Sequence, residues 1–126
     1  MSFSNYLENK VLSHVFGAVP YTAPATLYVG LYTSDPGEAN TGTEVSGGSY
    51  ARQTIAFTVT ANQASNTAAV EFPTATASWG TVTYAAVFDA VSGGNMLSYG
   101  ALTTSKTIAS GDVLRIPAGD FDINLD

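Results

Sequence analysis

Residues able to do acid–base or nucleophilic chemistry are few in this sequence, and they are scattered. The one histidine, His14, follows Lys10 by four residues. A catalytic histidine needs a partner that orients its ring. No sequence feature supplies one, so His14 reads as a structural or surface residue. Val45-Ser46-Gly47-Gly48-Ser49 carries glycine-flanked serines, but it lacks the G-x-S-x-G spacing and the strand–turn–helix setting of a serine nucleophile. It reads as a flexible loop. Asp120 and Asp122 lie on one face of an extended segment, about 7 Å apart at Cα. Paired carboxylates at that range can hydrolyse glycosides, but acids alternating along an outer strand face look the same. Asp112, Asp120, Asp122 and Asp126 are dense near the C-terminus, and Asp35 and Glu38 share a loop. Calcium requires converging oxygens; EF-hand spacing is absent, and a solvated acidic face accounts for these acids. Gly47-Gly48 and Gly93-Gly94 lack the lysine and the following helix of a phosphate cradle. The expectation is no enzyme, no catalytic residues, no cofactor and no metal ligands.

Binding chemistry is better supplied. The chain has seven tyrosines and a single tryptophan, Trp79. Tyr28 and Tyr32 alternate with Leu27, Val29 and Leu31, which puts the two rings on the face opposite the aliphatic side chains. Exposed tyrosines offer large contact area with little entropy to lose. Arg52, just after Tyr50-Ala51, enters a strand and is expected to anchor a loop by pairing with an acid.

Such residues need elements to position them. The N-terminal segment, about residues 3–16, is predicted to be an amphipathic helix. Ser2 or Ser4 can cap it, and Phe3, Leu7, Val11 and Val15 recur at four-residue spacing with Leu12 and Phe16 beside them. Gly17 and Pro20 stop it. After Pro24 the period changes to two. Leu27–Tyr32, then Ile55, Phe57 and Val59, then Ala69–Phe72, then Thr81–Ala90 with Val82, Tyr84, Ala86 and Phe88 on one side, all read as strands. Ser92-Gly93-Gly94-Asn95 signals a hairpin, returning through Met96–Thr103. Lys106–Ile108, Val113–Ile116 and the alternating Phe121, Ile123 and Leu125 follow. Glu38–Ser49 and Thr74–Gly80 read as exposed loops and Asn62–Thr67 as a polar connection. Seven or eight short strands with no strand–helix alternation predict a mainly β chain: an antiparallel β-sandwich, jelly-roll or Ig-like, in a single domain over 1–126.

Composition narrows the partners. Charged residues make up 11% of the chain, the net charge is −6, and there is no cysteine. Disulfides and thiol chemistry are excluded. An acidic chain whose four bases do not cluster repels a phosphate backbone, so nucleic acid is not an expected partner. No apolar run approaches the roughly 20 residues of a membrane span, and the N-terminus lacks the basic start and apolar run of a signal peptide, so synthesis in a cytoplasm is expected. A surface of Thr, Ser, Asn and Gly loses little solvation when another protein covers it.

Several stretches carry a resemblance. They are Ser4-Asn5-Tyr6-Leu7-Glu8-Asn9-Lys10, Ala25-Thr26-Leu27-Tyr28-Val29-Gly30-Leu31-Tyr32-Thr33, Asp35-Pro36-Gly37, Gly47-Gly48-Ser49-Tyr50-Ala51-Arg52, Ala77-Ser78-Trp79-Gly80-Thr81-Val82, Phe88-Asp89-Ala90 and Gly100-Ala101-Leu102-Thr103. In order and spacing these resemble small structural proteins of tailed-phage particles, both tail-fibre-like proteins and capsid cement or decoration proteins. The resemblance implies a virion component made in the host cytoplasm. One role it implies is a cement protein that binds the major capsid protein and copies of itself as a dimer or trimer. The other is a tail-fibre or baseplate component that touches a host-surface glycan. The expected contact residues are Phe3, Leu7, Val11, Tyr28, Tyr32, Glu44, Tyr50, Arg52 and Trp79.

Overall fold

Alternating aliphatic residues make the strands, and one capped helix lies near the start of the chain. The computed structural model describes residues 1–125. In chain order the elements begin with β1 (Ser2–Phe3), α1 (Asn5–Val15), β2 (Leu27–Tyr32), β3 (Gln53–Ile55) and β4 (Phe57–Thr60). They continue with β5 (Gln63–Asn66), β6 (Val70–Glu71), β7 (Gly80–Phe88), β8 (Met96–Ile108), β9 (Arg115–Ile116) and β10 (Asp122–Asn124). A five-stranded sheet has the order β1-β8-β7-β2-β3, a three-stranded sheet β10-β5-β4, and β6 pairs with β9. Each pairing is antiparallel.

The mainly β, antiparallel expectation holds, with ten strands among the described residues instead of seven or eight. The additional strands escape a periodicity reading. β5 has no apolar alternation; it is held by backbone pairing to β4 on one side and β10 on the other. Lys106–Ile108 is not a separate strand but the end of the long β8, paired with Gly80–Val82. β10 lies at a sheet edge, and its one acid, Asp122, accepts a hydrogen bond from Ser65 of the neighbouring β5.

One face of the five-stranded sheet and the two small sheets share the main core. Val29, Leu31, Val87 and Leu97 from the large sheet meet Val70 and Ile116, with Phe57 and Ile123 packed against them. Each fully buried aliphatic side chain contributes about 1.5–3 kcal/mol. On the opposite face Tyr32, Ala86, Phe88 and Met96 form a second buried cluster, fringed by Tyr28, Tyr84 and Tyr99. The register of β7 corrects one sequence expectation. A bulge between Val82 and Tyr84 shifts the pairing, so Val82 faces the main core while Tyr84, Ala86 and Phe88 face the other side. An inserted residue reverses the parity of all that follows.

The helix is shorter than expected. Phe3 belongs to β1, opposite Ser98, and Ser4 is the N-cap, its Oγ accepting from the Leu7 N–H at 3.1 Å. Ser4 also donates to Met96 O through its hydroxyl and to Leu97 O through its backbone N–H, and Asn5 N–H donates to Glu38 O. The start of α1 is therefore fastened to β8 and to the segment after β2. The far end is close-turned at Gly17, where a Cβ would stand 2.9 Å from Ser13 O. Ser4→Ala is expected to lower folding stability by about 1–2 kcal/mol, since it removes a cap and a buried hydrogen bond together. Urea unfolding checks this as a lower midpoint at unchanged slope. An unchanged midpoint would mean the tether contributes nothing.

Candidate functional site

The segment after β2 is not the free loop its composition suggests. It turns at Asp35-Pro36-Gly37, where Asp35 Oδ1 accepts from Gly37 N–H at 2.8 Å, and then returns beside β2. Thr33 N–H donates to Thr43 O and Val45 N–H to Leu31 O, with an antiparallel bridge between Tyr32 and Glu44. This completes the edge of β2 beyond the last β3 pair, Val29 with Gln53. Val45 is buried as a result.

That return places the Glu44 carboxylate directly over Gly30. A Cβ at Gly30 would lie 2.9 Å from Glu44 Oε2 and 3.1 Å from both the Tyr50 hydroxyl and the Phe88 ring. Only glycine leaves room for this approach. Arg52 meets Glu44 in a two-armed pair, Nε to Oε2 at 2.9 Å and Nη2 to Oε1 at 2.8 Å. Its Nη1 donates to Ala90 O at 3.0 Å and Gly93 O at 2.8 Å. The guanidinium lies over the Phe88 ring, 3.5 Å from its centroid, a geometry that adds cation–π attraction. Tyr50 donates its hydroxyl proton to Glu44 Oε2 at 2.6 Å and accepts from Leu31 N–H at 2.9 Å. Three separate stretches, β2, residues 43–52 and the β7–β8 hairpin, are thus clipped together by one charged pair.

The titration behaviour follows from the same contacts. Burial by itself would raise the Glu44 carboxyl, but the hydrogen bonds from Arg52 and Tyr50 and the Arg52 charge hold it below the ordinary carboxylate value. The Tyr50 hydroxyl is pushed up by burial and by its bond to Glu44. Tyr32 is pushed up to about 12 by burial and by the Glu44 charge, while its hydroxyl donates to Asn40 Oδ1 at 2.6 Å. A phenol whose folded value is raised favours folding fully below its unfolded value of 10.0, and that contribution disappears as pH rises toward 12. Stability measured by denaturant titration should therefore fall between pH 10 and 12. A flat profile across that window would contradict the assignment. In the acid range the lowered Glu44 value acts the other way: its contribution is lost as pH falls through the folded value.

The residues expected to make contacts fall into three groups. Glu44, Tyr50 and Arg52 come together in the clip, and the acid that Arg52 was expected to find is Glu44. Tyr32 and Trp79 lie inside the chain at 2% and 4% exposure, so neither ring offers a face to a partner. The correction has a physical cause: Trp79 packs edge-on to Tyr50 and Phe72, with ring centroids at 5.4 Å and 6.4 Å, and its Nε1 donates to Gly48 O at 2.9 Å. Phe3, Leu7, Val11 and Tyr28 are half-buried, Leu7 against the main core and Tyr28 against the second cluster.

The helix carries an apolar face that the expected set omits. No residue of α1 is buried, and Leu12, Val15 and the C-cap Phe16 are 59%, 61% and 82% exposed. Their spacing was visible in the sequence, but it gave no sign that this part of the stripe faces away from the body. A second feature is a groove of about 380 Å³ between Phe3 and the three-stranded sheet, lined by Val59, Ile123 and Leu125 among others. Val59 was expected to share an inward face with Ile55 and Phe57; it is 71% exposed, because β3 and β4 belong to different sheets.

Two of the C-terminal acids accept hydrogen bonds within the chain. Asp112 Oδ2 accepts from Ala109 N–H at 2.9 Å and Asp122 Oδ1 from the Ser65 hydroxyl at 2.5 Å. Among the described residues no three acidic or histidine side chains gather as metal ligands would; Asp126 lies outside them. Among the described residues no helix is long and apolar enough to cross a membrane.

Comparison with known proteins gives one family. The family model described as "Podophage GP4 fiber I protein gp80" matches residues 2–124. No curated protein matches the chain.

Proposed function

The chain belongs to the podophage GP4 fiber I protein gp80 family, a family of phage structural components, and from that premise we propose that it is a tail-fibre subunit working by protein–protein contact without catalysis. The observation that carries the contact role is the uncovered apolar end of α1. Leu12, Val15 and Phe16 stand exposed on a helix whose first turn is fixed by Ser4 and Asn5 to two other segments. Exposed apolar patches rimmed by polar residues mark association surfaces. The clip of Glu44 and Arg52 holds residues 43–52 to the β7–β8 hairpin, away from that end of the helix. The same surface chemistry would serve a head-decorating protein, but the fibre family favours the tail.

The protein is made in the host cytoplasm and acts in the virion. Imaging of particles carrying a tagged chain tests the location. Density confined to the tail is expected, and density at every major capsid subunit would overturn the fibre reading.

A second reading concerns the host surface. Tyr28, Tyr84 and Tyr99 fringe the buried cluster on the outer sheet face, and partly exposed rings stack on sugar faces as well as on protein. Binding to host-surface glycans that is lost in Tyr99→Ala, with stability retained, would support it. No binding to whole cells or extracted glycans would remove it.

A further inference from the structure

Two apolar features of this chain lie uncovered, at opposite ends of one helix. At the far end of α1, Leu12, Val15 and Phe16 are exposed while Tyr6, Leu7, Lys10 and Val11 on the other side of the helix are half-buried. At the near end, Phe3 forms one wall of the groove that Val59 and Leu125 line from the other side. The eleven residues of α1, at 1.5 Å each, put about 16 Å between the two.

We propose that a second copy of this chain covers both features at once, across a twofold axis, with the two α1 helices antiparallel and each Phe16 seated in the partner's groove. This deepens the contact role proposed for α1 and rests on it. In a twofold interface a surface and its complement must both be present on the same chain. Here the knob and the groove are both apolar, both exposed, and spaced by the length of the element that would cross the axis. In an antiparallel pair the far end of one helix arrives at the start of the other, which is where Phe3 and the groove lie.

The exposed fractions of the helix end and of Val59 at 71% and Leu125 at 53% amount to roughly 600 Å² per copy when wholly covered, below the ~800 Å² per partner of a standard interface but on its scale. Either feature alone would fall well short of it. The groove is lined by Phe3, Val59, Ile123, Leu125 and neutral small or amide residues. The groove can therefore close on Phe16 without stripping a formal charge of water, although the exposed face of α1 that would cross the axis carries Glu8 one turn before Leu12.

Analytical ultracentrifugation of the purified full chain over a range of concentrations tests this. The wild type should sediment as a dimer. Phe16→Asp and Val59→Asp should each sediment as monomers with the circular dichroism of the parent, because both side chains are exposed, and should melt at the temperature the wild type shows when diluted below its dimer range. A monomeric wild type, a variant that stays dimeric, or an assembly larger than a dimer would each overturn the pairing. None of these results bears on where the chain sits in the virion, which the imaging experiment reads separately.

Discussion

Arg52→Ala should lower folding stability by about 3–5 kcal/mol, the range seen when one partner of a buried ion pair is removed. The Arg52 side chain is 8% exposed and that of Glu44 24%, so the surviving carboxylate would stay largely out of water without its counter-charge. The loss does not stop at the pair. Ala90 O and Gly93 O lose their shared donor, and the Phe88 ring loses the guanidinium lying on it. In a domain of this size the melting temperature should drop on the order of 10–20 °C. Arg52→Lys should recover little of it, because an ammonium cannot make the two-armed pair and reach the hairpin carbonyls together. The double variant Arg52→Ala with Glu44→Ala should be less destabilised than the two single losses added, since the second change removes the stranded charge. A loss under 1 kcal/mol for Arg52→Ala, measured by denaturant unfolding, would mean that the clip is screened and contributes as a surface pair does.

Trp79→Ala is expected to be as severe, about 3–5 kcal/mol. At 4% exposure, Trp79 fills the space between Tyr50 and Phe72. Those rings stack on each other with centroids 6.1 Å apart, so removing the indole opens a cavity that two flat neighbours cannot collapse into without leaving their own contacts. Trp79→Phe separates packing from hydrogen bonding. It retains most of the volume but removes the Nε1 donor that reaches Gly48 O at 2.9 Å; Gly48 O still accepts from Thr76 N–H at 3.0 Å, so the loss should be only about 0.5–1.5 kcal/mol. The readout is again denaturant unfolding, and it distinguishes two roles for this residue. A tryptophan used only to touch a partner would leave the isolated chain as stable after truncation as before.

The two effects are linked through Tyr50. Its ring packs on Phe72 and Trp79, and its hydroxyl joins Glu44 and the Leu31 backbone. The clip on the outer side of the sheet and the aromatic cluster in the main core thus share one side chain. Loss of either should loosen residues 43–52, the segment that holds the β7–β8 hairpin against β2. In the proposed dimer the contact surfaces lie elsewhere, on α1 and the small sheet, so these substitutions should lower stability without altering which faces pair.

Much of the architecture was legible from residue spacing. Leu27, Val29 and Leu31 alternate as a half-buried strand must, and β2 forms there. Ser4 precedes an apolar stripe, and it caps α1. Gly93 and Gly94 mark the β7–β8 turn, where both take positive φ. These features are local. Each depends on side chains within a few residues of one another, and chain geometry alone converts the spacing into a helix face, a strand face or a turn. The resemblance carried by stretches such as residues 25–33 and 77–82 implied a phage structural protein, and the family match over residues 2–124 agrees.

Tertiary structure alone decided which faces are inside. The bulge near Thr83 turned Tyr84, Ala86 and Phe88 away from Val82. The break between β3 and β4 put Val59 in water, and the return of residues 43–45 beside β2 carried Glu44 over Gly30. Trp79 entered the core, while Phe16, in the same apolar stripe as Leu12, stayed outside. The physical reason is common to all of them. A side chain's direction along a strand alternates, so a single inserted residue reverses it, and what then lies opposite comes from parts of the chain tens of residues away. Local spacing specifies the period of an element, whereas register and long-range pairing specify what that element touches.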